Sequence, residues 1–168
     1  MKRIAAAIIL AALILLSLTA CNDDTAPDNP DNPGTRTTST VPVVLYLPNN
    51  NADGFVTKTE MIDGTAESIV ALLVTEQSLP AGSTLLSFTI SGKNGVADMN
   101  TVYGQALSQT GTTGEYLLLG SLVNTLLKFY QLDTVTLTIE SQVLETGHNI
   151  YDSPLGFYEN QNNAGSST

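Results

Sequence analysis

The stretch Thr112–Val143, TTGEYLLLGSLVNTLLKFYQLDTVTLTIESQV, decides the fold. Thr112 and Glu115 have the Thr-x-x-Glu spacing of a capping box, in which each side chain satisfies a backbone donor at a helix start. Leu119, Leu122, Val123, Leu126, Leu127 and Tyr130 recur at steps of three and four residues, so they share one helix face. Ser121, Asn124, Thr125, Lys128 and Gln131 fall on the other face. After the short connection Leu132-Asp133, Val135, Leu137 and Ile139 alternate with Thr134, Thr136, Thr138 and Glu140, the period of a half-buried strand. A helix and a strand joined this closely must pack on each other, because neither buries its apolar side alone.

Working outward from this pair, the upstream chain repeats the same grammar. Val43 to Leu47 reads as a strand, Pro48 to Gly54 as a turn in which Asp53-Gly54 supplies positive φ, and Phe55 to Ile62 as a second strand. Thr65 is placed to cap a helix carrying Ala66, Ile69, Val70 and Leu73, with Glu67 in its first turn. Leu86, Phe88 and Ile90 alternate with hydroxyl residues, and Asn94-Gly95 signals a hairpin returning through Val96 to Met99. Asn100 or Thr101 starts a short helix ending near Leu107. Downstream, Gly147 to Gly156 reads as irregular, and Asn160 to Thr168 as frayed. The expected class is α+β: a two-layer sandwich with a mixed or antiparallel sheet, its helices on one face and the threonines of the last strand on the open one.

The N-terminal residues read as a leader. Lys2 and Arg3 precede the apolar run Ile4 to Leu16, and Leu18-Thr19-Ala20-Cys21 resembles a bacterial lipobox, which implies lipidation of Cys21, the only cysteine. The apolar run is shorter than the ~20 residues of a membrane span. The expected organisation is a signal peptide over residues 1–20, a disordered Asp/Asn/Pro/Thr-rich tether over 21–40, a domain over 41–157 and a disordered tail over 158–168. Removing residues 1–20 takes two of the six basic residues, leaving four against 16 acidic ones and a formal charge of -12. Such a domain is repelled by phosphate backbones, which argues against nucleic acid as a partner. With no second cysteine there is no disulfide, so packing holds the fold.

Several motifs, in order, resemble the GerMN domain of sporulation and spore-germination lipoproteins over about Val41 to Phe157. They are Val43-Val44-Leu45-Tyr46-Leu47; Leu79-Pro80-Ala81-Gly82-Ser83, similar to a Leu-Pro-x-Gly-Thr break; Gly95-Val96-Ala97-Asp98-Met99-Asn100; Asn124-Thr125-Leu126 through Phe129 with Val135 to Ile139; and Asp152-Ser153-Pro154-Leu155. The glycine often found after the last strand is not at Glu140 or Ser141, and the Asn-rich turn is long. The resemblance implies one copy of a non-catalytic, ring-building-motif-like unit that associates side by side, on the outer face of a cytoplasmic membrane in a spore-forming or related Gram-positive organism. The partners it implies are membrane lipid through Cys21, and envelope proteins or a second copy of the chain.

The residues offer little for catalysis. His148 is the only histidine, in the irregular Gly147–Ile150 segment, and no Gly-x-Ser-x-Gly turn occurs. Gly111 to Gly114 lacks the lysine of a P-loop. No enzyme activity and no cofactor are expected. One metal pattern stands beside that reading: Asn49, Asn51, Asp53, Gly54 and Glu60 fall at positions 1, 3, 5, 6 and 12 of an EF-hand-like calcium loop, with Val56 at the eighth. Strands rather than helices flank it, so a hairpin turn is the preferred reading. Asp98 is expected to orient a neighbouring turn or cap a helix. The function expected is a lipid-anchored extracytoplasmic interaction or assembly module; the alternatives are a solute-binding or sensing lipoprotein and a calcium-binding surface module.

Overall fold

Beginning at Val41, a hairpin of β1 (Val41–Pro48) and β2 (Phe55–Ile62) leads into α1 (Ala66–Thr75), in a computed structural model that describes residues 40–161. There follow β3 (Leu85–Ser91), β4 (Asn94–Met99), α2 (Thr101–Gln109), α3 (Thr112–Tyr130), β5 (Thr134–Ile139), β6 (Gln142–Glu145) and β7 (Ile150–Tyr151). The leader, Cys21, the tether up to residue 39 and the tail from residue 162 lie outside the described residues.

The α+β class and the order of elements through β5 are as expected. The strands divide into two sheets, β1-β2 and β3-β4-β5-β6-β7. The larger sheet is mixed: β4 and β5 run parallel, joined by the α2–α3 crossover, and the other pairs are antiparallel. Its inner face carries Ala97, Met99, Val135, Leu137 and Leu144, which join Ile69, Val70 and Leu73 of α1, Tyr103 and Leu107 of α2 and the leucines of α3 in one core. Its outer face carries Thr134, Thr136 and Thr138, as the alternation predicts.

Helix α3 departs most from expectation. Ser121, Asn124 and Thr125, on the face away from the apolar stripe, are fully buried. The hairpin packs over them. The Thr125 hydroxyl donates to the Ser121 carbonyl at 2.7 Å and accepts the Tyr46 N–H at 3.1 Å, so it serves an edge group of β1 that has no strand beside it. Gly120 makes the approach close enough: a Cβ there would lie 2.9 and 3.0 Å from ring carbons of Phe55. The helix is therefore buried on both sides, its apolar face toward the main core and its small polar face toward the hairpin.

The capping box is absent. Gly111 is the N-cap of α3 with no side-chain bond, Thr112 is already helical, and Glu115 turns elsewhere. The caps of the other helices match expectation: Thr65 accepts from Ser68 N–H at 3.2 Å and Asn100 from Tyr103 N–H at 3.4 Å, each worth about 1 kcal/mol.

Three turns also differ. The β3–β4 hairpin turns at Gly92-Lys93, with Ser91 opposite Asn94 and positive φ at Gly92, the first central position, as a type II′ turn requires. Gly95 is inside β4, where a Cβ would stand 2.9 Å from Leu132 and 3.1 Å from Phe88; its glycine serves packing, not turning. In the first hairpin the positive φ is at Ala52 rather than at Asp53-Gly54. Finally, Glu140 and Ser141 do not extend β5. Both take positive φ and turn the chain into β6, and part of the segment read as irregular forms β7.

Candidate functional site

The calcium pattern is not gathered into a site. Asn49 and Asp53 bond each other, amide to carboxylate at 2.7 Å and Asp53 N–H to the Asn49 side chain at 3.2 Å, while Asn49 N–H donates to the Gly54 carbonyl. Glu60 lies five residues beyond Phe55 on extended β2, about 17 Å along the strand, and its carboxylate is 3.0 Å from the Lys58 ammonium. The extended strand between them is what keeps position 12 from folding back over the turn. Among the described residues no cluster of three or more His, Cys, Asp or Glu side chains is placed to hold a metal ion. His148 is exposed, and its Nε2 faces the Thr110 carbonyl at 3.3 Å.

Asp98 does what its position in the sequence suggested. It sits on the outer face of β4, opposite Thr138 in the parallel register. Its Oδ1 accepts from the Thr138 hydroxyl and the Ser141 N–H, both at 2.7 Å, and its Oδ2 from the Ser141 hydroxyl at 3.2 Å. Burial alone would raise this carboxyl, but the hydrogen bonds from Ser141 and Thr138 outweigh it and hold Asp98 below its ordinary value of 3.8. The bonded residues lie in and beside the positive-φ turn, so Asp98 stabilises a backbone that otherwise costs ~1–2 kcal/mol per residue. Asp98→Ala should destabilise the domain by about 2 kcal/mol, the usual worth of hydrogen bonds to a charged group. Because the folded value is depressed, this contribution is complete above the ordinary value and is lost as pH falls through the folded one. Urea midpoints should therefore separate wild type from Asp98→Ala at neutral pH and converge below about pH 4; a constant gap down to pH 2.5 sinks the account.

A second buried acid was assigned elsewhere by its spacing. Glu115, only 2% exposed, accepts at Oε1 from the Thr146 hydroxyl at 3.0 Å and from the Tyr151 hydroxyl. It thus ties the first turn of α3 to the β6–β7 loop and to β7 itself. Burial first, then the bond to Glu115, pushes Tyr151 up to about 12. The partners are 31 and 36 residues away in sequence, and no local pattern announces them.

The C-terminal stretch forms a strap, and residues 158–161, expected in the tail, are part of it. Val135 and Leu155 exchange backbone bonds of 2.9 and 2.8 Å. The Asn124 amide donates to the Tyr158 carbonyl at 2.9 Å and accepts the Tyr158 N–H at 2.8 Å. Asn160 does the same to Phe55, accepting its N–H at 2.7 Å and donating to its carbonyl at 3.4 Å. Two asparagines therefore fasten the strap, one to α3 and one to the hairpin.

One groove opens between α2 and β6. It has a volume of about 670 Å³ and is lined by Gln105, Gln109, Gln142 and Glu145 over a floor that includes Gly104 and Ile139. Among the described residues the three glutamine amides have no partner within the chain. Asp98, Asn124 and Asn160 spend their side chains on joining elements, whereas the buried Ser78, Ser83 and Ser121 hydroxyls and Glu115 Oε2 have no hydrogen-bond partner among the described residues.

Comparison with known proteins places the architecture. The first GerMN domain of the sporulation protein GerM from Bacillus subtilis shares 22% identity, covering 73% of this chain and 99% of that one, with a TM-score of 0.52. The tandem GerMN domains of the same protein give 23% identity and a TM-score of 0.55, covering 70% of this chain and 46% of that one, so the chain spans about half the length of the tandem unit. These likenesses establish the fold. No curated protein matches the chain. A family model described as Germane, sporulation and spore germination, matches residues 28–145. That match spans well over half the sequence, and the chain belongs to the Germane family of sporulation and spore germination.

Proposed function

We propose that the protein is a lipid-anchored, extracytoplasmic interaction or assembly module acting in sporulation or germination, with envelope proteins or a second copy of itself as partners. The observation that carries this reading is how the polar residues are used. Asp98, Glu115, Asn124 and Asn160 are committed to internal bonds, while exposed apolar side chains remain on strands, Val56, Met61, Leu86, Ile90, Val96 and Val143 among them. Side chains spent on rigidity leave a shaped surface rather than a reactive cluster. The Leu18–Cys21 lipobox supports the anchor, and among the described residues no helix is long and apolar enough to cross a membrane. Two acyl chains on one cysteine hold a protein stably where one does not. The reading is non-catalytic, and His148→Ala should leave every assayed hydrolytic activity unchanged. In-cell crosslinking of the anchored chain, followed by identification of what it holds, should yield envelope proteins or a self-crosslinked species. A chain that captures nothing and stays monomeric overturns the reading.

The α2–β6 groove favours a second reading, a solute-binding or sensing lipoprotein, since three glutamines line one space. A metabolite screen watched by thermal melting tests it. The calcium reading has only the Asn49–Glu60 spacing behind it, and no melting shift at millimolar calcium would end it.

A further inference from the structure

Among the described residues three long strand edges have no neighbouring strand, and the fold treats them differently. The free edge of β1 lies against α3, where Thr125 takes the Tyr46 N–H. The free edge of β2 carries Lys58 and Glu60, with Glu76 of the α1 C-cap 2.9 Å from the lysine, a charged edge of the kind that repels strand addition. The outer edge of β3 has neither protection. From Gln77 to Gly92 the sequence holds no charged residue. Among the described residues, no backbone bond joins Leu85–Ser91 to anything but β4. Five of its seven residues are exposed, Leu86 at 50% and Ile90 at 47%. A bulge at Leu86 disturbs only the first end, leaving Ser87–Ser91 in regular register with β4.

We infer that this edge pairs with β3 of a second copy, antiparallel across a two-fold axis at Thr89, joining two five-stranded sheets into one. The inference rests on the interaction reading above and names its partner. Charge selects the occupant. Two chains of formal charge -12 repel wherever their acids meet, and β3 is a long element free of them. The register is self-complementary. With Thr89 opposite Thr89 of the copy, Phe88 falls opposite Ile90 and Ser87 opposite Ser91, so apolar pairs share one face and hydroxyl pairs the other. An isologous contact of this kind closes on itself. The interface is small, and confinement of both copies to one membrane surface raises their effective concentration.

The test uses the full anchored chain in membranes, where Cys21 is the only native cysteine. Thr89→Cys should give a dimer with a short thiol-directed crosslinker, and the wild-type chain should not. Thr59→Cys, exposed on β2, should give none. Adding Ile90→Lys to Thr89→Cys sets a cation near its symmetry mate and should cut the dimer yield several-fold; Ile90 is exposed enough for the domain to fold. Absence of the Thr89→Cys dimer, equal yield from Thr59→Cys, or indifference to Ile90→Lys each overturns the β3 pairing. If any of these occurs while the wild-type chain still captures an envelope protein, the interaction reading stands and only the pairing falls.

Discussion

Gly120→Ala should destabilise the domain by about 1–2 kcal/mol, although alanine is the better helix former. At an open helix position the substitution gains roughly 1 kcal/mol. Here the added methyl meets the Phe55 ring, with carbons at 2.9 and 3.0 Å and the ring tip closer still. The ring is ill placed to retreat. Asn160 holds the Phe55 N–H and carbonyl, and the Tyr116 ring lies 5.3 Å away, centroid to centroid. Relief requires Phe55, now 8% exposed, to swing toward water, which forfeits about 1.5–3 kcal/mol of burial, or the hairpin to lift from α3. Either cost exceeds the propensity gain. Denaturant midpoints at unchanged slope measure the net effect. A double-mutant cycle with Phe55→Leu isolates the contact: the smaller side chain should cancel most of the Gly120→Ala penalty. A neutral or stabilised Gly120→Ala would mean that the hairpin does not sit on α3 as described.

The same helix shows where local sequence patterns inform and where they stop. The stripe from Leu119 to Tyr130 and the alternation from Val135 to Ile139 were legible because each reflects a period set by backbone geometry. So were the caps at Thr65 and Asn100, which act within three residues of themselves. The burial of Ser121, Asn124 and Thr125 is not legible in the sequence, because burial of a polar side chain depends on partners that periodicity does not encode. Tyr46 is 79 residues from Thr125 and Tyr158 is 34 from Asn124. Glu115 failed for the same reason, its spacing matching a capping box while its partners lie in the distant β6–β7 loop and β7. Gly95 was read as a turn residue because glycine permits two things, positive φ and close approach, and sequence alone does not say which is needed. Of the candidate site residues, Asp98 was legible through its motif; the asparagine clamps of the strap were not, since nothing local distinguishes them from solvated asparagines.

Those clamps make the other large prediction. Asn124→Ala should destabilise the domain by about 2–4 kcal/mol and release the strap from Leu155 to Gln161. Asn124 is fully buried and makes two good bonds to the backbone of one residue, Tyr158. Alanine removes both and leaves the Tyr158 N–H and carbonyl without their partner, each costing ~1–3 kcal/mol if they stay dry. The strap escapes that cost by lifting into water, but then the packing of Tyr158 on Tyr116 and of Phe157 on Tyr46, at 5.7 and 5.3 Å between centroids, is lost with it. Asn124→Asp should be worse than alanine at neutral pH, because a carboxylate repels the Tyr158 carbonyl and is itself buried without a compensating charge. Asn160→Ala should cost less, its site being only partly buried. Amide hydrogen exchange reports the location: in Asn124→Ala, Leu155 to Gln161 should exchange fast while β4 and β5 stay protected. The strap lies beyond residue 145, where the family match ends, yet it bridges α3 and the hairpin. If Asn124→Ala leaves the strap protected, its hold comes from the Asn160 bonds to Phe55, the aromatic contacts and the Val135–Leu155 bridge instead, and the Asn124 amide contributes little.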